Sequence, residues 1–142
     1  MIKDNRGQIS LEYLLIFSIS LIIITVFSLP LLHESMDNTF DVSDSLKAKA
    51  DLSNIAQAIK HVYGEGQGSK RVVKLDISLP VKISVAGDHV SSKIKLKNGE
   101  SKTIKIYVNS KLKRDDFNLG KGRHEMIVEW PIGDEHMKIY QK

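Results

Sequence analysis

The sequence predicts an α+β protein, with one long apolar helix at the amino end and an all-β, sandwich-like head behind it. Three observations carry this. No Asp, Glu, Lys or Arg occurs between Glu12 and Glu34. Leu52, Ile55, Ala56, Ile59, Val62 and Tyr63 recur at the spacing of one helix face. From Val72 onward the period changes to two, as in strands with one buried and one wet face.

Tyr13–Leu32 reads YLLIFSISLIIITVFSLPLL, long enough as a helix to cross a hydrocarbon core of ~30 Å. Lys3 and Arg6 precede it, and His33-Glu34-Ser35-Met36-Asp37 follows. Basic flanks stay cytoplasmic, so the amino end is expected inside and everything after Leu32 outside. Glu12 stands alone at the mouth of the segment. Carrying a carboxylate to mid-membrane costs about 2.5–3.5 kcal/mol, which marks this acid as functional by default. Pro30 removes one backbone hydrogen bond, so a kink or local melt is expected near Val26–Pro30.

An ordinary secretory signal has an apolar core of ~7–15 residues, followed by small residues at a cleavage site. Here the run is longer, and Ser28-Leu29-Pro30-Leu31-Leu32-His33 offers no A-x-A-like site. The small residue Gly7 lies before the run instead, directly after Arg6. An uncleaved signal anchor accounts for Lys3, Arg6 and the apolar run, but not for the order of residues at the junction. That order, Gln8-x-Ser10-x-Glu12-Tyr13-Leu14, resembles the class III signal peptide of euryarchaeal type IV pilin-like proteins. The resemblance covers roughly residues 1–32. It implies a pilin-like layout, a cut between Gly7 and Gln8 on the cytoplasmic side, and Glu12 as the fifth mature residue. It also implies partners: a prepilin peptidase, an assembly ATPase, a membrane platform protein, and copies of this or related pilins.

Beyond the membrane segment, Phe40 and Leu46 continue a looser stripe upstream of Leu52. Gly64-Glu65-Gly66-Gln67-Gly68-Ser69 is expected to end the helix. Val73, Leu75, Ile77 and Leu79 form one alternating run and Val81, Ile83 and Val85 another, with Pro80 between them. Gly87-Asp88 fits a two-residue hairpin that sets Val85 and Val90 on the same face. A two-residue loop at Asn98-Gly99 would leave Ile94 and Leu96 facing away from Ile104, Ile106 and Val108. A three-residue loop Lys97-Asn98-Gly99, with Gly99 left-handed, restores the parity. Met126, Val128 and Trp130, a turn over Pro131–Glu135, then Met137 and Ile139 suggest a last hairpin. Lys111–Arg123 reads as a polar connection, leaving about six strands.

Little in the head points to chemistry. The chain has no cysteine, and its five histidines (His33, His61, His89, His124 and His136) have no zinc-ligand spacing. Gly64-x-Gly66-x-Gly68 follows a helix and lacks the Gly-Lys-Ser/Thr ending of a phosphate loop. Asp115-Asp116 has no third ligand nearby and reads as an exposed loop. No G-x-S-x-G elbow and no Asn-x-Ser/Thr sequon occurs. No catalytic residue, metal or cofactor is therefore expected, and the chain reads as a non-enzyme.

Charge is unevenly placed: residues 33–63 hold three basic and five acidic groups, residues 64–142 sixteen and ten. The basic side chains Lys93, Lys95, Lys97, Lys102, Lys105, Lys111, Lys113 and Arg114 have Tyr107 alone interleaved. They read as the wet face and protected edges of strands, and no nucleic-acid partner is expected.

The expected organisation is a leader at 1–7, a membrane or filament-core helix at 8–32 and an amphipathic extension at 33–63. A Gly-rich linker at 64–69 and a β-rich extracellular head at 70–142 follow. The expected function is structural: a subunit of an archaeal type IV pilus-like filament on the cell surface, held first in the membrane and serving adhesion or attachment. The alternative is an uncleaved, single-pass binding module whose β head works alone.

Overall fold

The computed structural model describes residues 5–97 and 99–142, with residues 5–9 described as backbone only. The chain divides into two compact units, Met1–Thr39 and Phe40–Lys142. One helix, α1 (Asn5–Glu65), contributes to both.

In the first unit α1 is helical throughout, Val26–Pro30 included, so no local melt accompanies Pro30. One missing donor is tolerated where the surrounding turns are complete. From Leu11 to Leu32 every large apolar side chain is exposed.

In the second unit α1 continues to Glu65 and stops where Gly66 turns left-handed (φ 89°), its N–H donating to the Val62 carbonyl at 3.0 Å. Seven strands follow among the described residues: β1 (Lys70–Ile77), β2 (Val81–Val85), β3 (His89–Lys95), β4 (Ser101–Tyr107), β5 (Asp115–Leu119), β6 (Gly122–Glu129) and β7 (Lys138–Gln141). They form two antiparallel sheets, in the orders β1-β6-β7 and β4-β3-β2-β5.

The hairpins follow the parity of their side chains. Ala86 N–H donates to His89 O at 2.8 Å across Gly87-Asp88, and Val85 pairs with Val90. Leu96 N–H donates to Glu100 O at 2.8 Å, which makes the β3–β4 loop three residues long, with Gly99 at φ 88°. Asn98, at its centre, lies outside the described residues. Val90, Ser92 and Ile94 thus share a face with Ile106, Ile104 and Lys102.

Three expectations are corrected. Lys111–Arg123 is not a plain connection: it contains β5, an edge strand on β2, and Leu112, which is buried and bridges Met137. Phe117 and Leu119 are the only large apolar residues of β5, too few to show a period. The helix stripe upstream of Leu52 does not run through Phe40 and Leu46, which are exposed, but through buried Asp41 and Ser45. Finally, Tyr63 is 52% exposed and lies against Trp130 rather than in the core.

The core is one cluster. Leu52, Ile55, Ile59 and Val62 from α1 are 0–1% exposed and pack with the inner residues of both sheets, among them Leu75, Val90, Met126 and Val128. At its upstream end the stripe turns polar and is answered: Asp41 Oδ1 accepts the Lys97 N–H at 2.8 Å, and Lys97 Nζ stands 4.0 Å from the centre of the Phe40 ring.

A buried aliphatic side chain contributes about 1.5–3 kcal/mol. The four helix residues together are therefore comparable to the whole net stability of a domain, ~5–15 kcal/mol. A chain beginning at Phe40 should melt cooperatively with a β-rich far-UV circular dichroism spectrum, and one beginning at Gly66 should not. Equal melting temperatures for the two would show that α1 is dispensable to the head.

Candidate functional site

The sequence motif lies on the first turns of α1. Gly7 and Gln8 belong to the helix as backbone, and the Gln8 side chain lies outside what the structure describes. Ser10, Glu12, Tyr13 and Leu14 are all exposed, Tyr13 at 69% and Leu14 at 64%. The helix thus leaves the described side chains of the motif uncovered.

The rest of this segment is chemically quiet. Ser18, Ser20 and Thr25 donate their hydroxyls to the carbonyls of Leu14, Ile16 and Leu21, each at 2.8 Å. These hydroxyls need no outside partner, so they cost little in lipid or in a bundle of helices. Glu12 is the one charged group between Gln8 and His33. Along this stretch α1 is long and apolar enough to cross a membrane, and none of its most apolar window is buried within the chain.

Residues 5–31, the stretch that carries this exposed apolar surface, match the family model of the class III signal peptide. That signal implies a type IV pilin-like prepilin, in general terms one that assembles with related pilins. It fits anchoring in a membrane and exposure in a surface filament. The long apolar helix followed by two antiparallel sheets gives the chain an α+β, pilin-like layout. The match ends at residue 31, so the head lies outside it. Searches of curated proteins and of solved structures return no match to the chain.

The head places the other candidates singly. His89 Nδ1 lies 2.7 Å from Asp88 Oδ1, and this hydrogen bond holds the Asp88 carboxyl below the usual carboxylate range. His124 Nε2 meets the Gly120 carbonyl at 2.8 Å. Asp115 and Asp116 stand on β5, not in a loop; Asp116 pairs with Lys82 across the sheet at 2.8 Å. Lys93, Lys95, Lys102 and Lys105 are exposed on β3 and β4. Sequence reasoning missed the stacked pair Tyr63–Trp130, whose ring centroids are 5.5 Å apart and whose planes differ by 3°. No local pattern could have joined residues so far apart in the chain.

Asp51, on α1, differs from these exposed acids. Partial burial raises its carboxyl above the usual range, the negative Asp76 raises it further, and Lys47 with an Asp76 backbone hydrogen bond offsets part of this. A raised folded-state value contributes stability below the ordinary carboxylate pKa of ~3.9 and loses it as pH rises through the folded value. Asp51→Asn should therefore melt above the parent at pH 7, and the gain should vanish on titration to pH 3. A gain that persists unchanged in acid would show that ionisation of Asp51 is not its cause.

Proposed function

We propose that this chain is a structural subunit of an archaeal type IV pilus-like filament. It is cut between Gly7 and Gln8, held in the membrane by α1, and then packed helix against helix with its β head outside. The observation that carries this reading is the coincidence of two features on the same residues: the class III signal peptide match, and a helix whose large apolar side chains from Leu11 to Leu32 are all exposed. A helix apolar on every side is stable in lipid and equally stable among its own copies, so exchanging one for the other costs little.

The flanking charges support an amino end in the cytoplasm and a head outside the cell, with Lys3 and Arg6 on one side and Glu34 and Asp37 on the other. A prepilin peptidase, an assembly ATPase and a membrane platform protein are the proposed partners. The role of the filament is adhesion or surface attachment, and the chain is proposed to be no enzyme.

Glu12 has a specific task in this scheme. Cutting creates an α-amine on Gln8 with a reference pKa of ~7.7–8, and Glu12 of a neighbouring copy neutralises it inside the apolar core. A lone charge there costs several kcal/mol, whereas a paired one need not.

The mature protein should lack Met1–Gly7 by intact mass and begin at Gln8. Gly7→Val should leave the precursor uncut, because a β-branched side chain crowds a site that selects a minimal residue. Normal processing of Gly7→Val would place the cut elsewhere, and an intact Met1 would favour the uncleaved binding module.

Glu12→Gln should give cleaved subunits that stay in the membrane and form few filaments, counted by electron microscopy of sheared cell surfaces. A normal filament yield would remove Glu12 from assembly.

A further inference from the structure

Two adjoining clefts open in the head beside the last turn of α1. The larger, about 630 Å³, has Val108 and Met137 among its lining and is bordered by the Gly87-Asp88 hairpin, the segment Asn109–Lys111, Trp130 and Glu135. The smaller, about 350 Å³, lies among Lys60, Gly64 and Tyr107. Both volumes fall in the range of small-molecule sites, ~300–1,000 Å³. Tyr63, Asn109 and Ser110 line both, so Tyr63 stands between two compartments.

The aromatic wall is held in place before any ligand arrives. Tyr63 is stacked on Trp130 and remains half exposed. Trp130 Nε1 donates to the Asp134 carbonyl at 2.9 Å, and its backbone is paired with Gly68 and Ser69. Gln67 clasps the same turn, donating to Asp134 O at 3.1 Å and accepting from Gly133 N–H at 3.2 Å. Such fixing lowers the ordering cost of binding.

The polar lining mixes donors and acceptors. Asp88 and Glu135 bring carboxylates, Asn109 an amide and Lys111 an ammonium. Ser110 Oγ is buried and, among the described residues, is the one buried side-chain polar atom with no hydrogen-bond partner. Two carboxylates against one ammonium disfavour a phosphate or carboxylate ligand in the larger cleft. Flat rings with a negative π-face suit the slightly positive C–H face of a pyranose. We propose that these clefts bind a neutral saccharide, with a sugar ring against the face of Tyr63 that Trp130 leaves uncovered. This deepens the adhesive role proposed above and rests on it only for its biological use.

The test uses the full chain in a detergent without a sugar headgroup. Glucose, galactose, mannose, N-acetylglucosamine and their neutral disaccharides are titrated, with calorimetry and intrinsic fluorescence as readouts. Trp130 is the sole tryptophan, so the emission reports this wall directly. At least one neutral sugar should bind saturably and change that emission, and its disaccharide should bind more tightly. Tyr63→Ala should weaken binding about tenfold, as expected for loss of an aromatic contact, and Tyr63→Phe should retain it. Asn109→Ala, at an exposed position, carries the same expectation should Tyr63→Ala lose its β-sheet spectrum. Absence of saturable binding by every neutral sugar would overturn the proposal. Parental affinity in a folded Tyr63→Ala, or in Asn109→Ala where Tyr63→Ala does not fold, or binding of uridine monophosphate or glucuronate in place of neutral sugars, would do so equally. Binding is measured on the unassembled chain, so sugar binding without filaments would overturn the filament reading alone.

Discussion

Everything in this molecule depends on one helix having to be covered twice, by different partners. Upstream, α1 displays Leu, Ile, Phe and Val on all sides and buries none of them within the chain. Water cannot be its solvent, because exposing that much apolar surface is opposed by ~25 cal/mol per Å². Downstream, the same helix gives one stripe to two sheets and leaves the rest wet. In the proposed reading lipid or other helices cover the first part, while the second part brings its own cover.

The polar positions mark where one regime gives way to the other. Ser18, Ser20 and Thr25 return their hydroxyls to the helix backbone, so the upstream part makes no directional demand on its neighbours. Such a surface can exchange lipid for protein without leaving a polar group unpaired. Glu12 is the exception, and that is why it is informative. Downstream, Asp41 and Ser45 occupy the head-facing stripe, and the β3–β4 hairpin answers Asp41 with the Lys97 backbone N–H. The polar residue there specifies where the hairpin sits, whereas Leu52–Val62 supply the burial.

Much of this was legible because periodicity and parity are strict. The class III motif, the apolar run and the Leu52–Val62 stripe each follow a strict order or period, and the three-residue loop before Glu100 followed from which side chains must share a face. The failures have equally physical causes. A search for apolar residues followed Phe40 and Leu46, although the stripe continues as Asp41 and Ser45, whose burial depends on a partner far along the chain. β5 escaped because an edge strand with a Lys82–Asp116 pair on its outer side carries little apolar signal. The Tyr63–Trp130 wall escaped because stacking between distant residues leaves no mark on either neighbourhood.

The stacked pair also shows how the helix end shapes the head. α1 stops at Glu65 because Gly66 is left-handed and its N–H returns to Val62. Ser69 then donates its hydroxyl to the Val62 carbonyl at 2.9 Å and exchanges backbone contact with Trp130. Tyr63 is thereby fixed one residue past the last core position of the stripe, with its ring on Trp130 instead of between the sheets. Gly68, at φ 91° and with Ile132 close against it, leaves no room for a Cβ without a shift of that side chain. The glycine-rich linker thus ends the helix and, through Gly68 and Ser69, pairs with the Trp130 backbone beside the clefts.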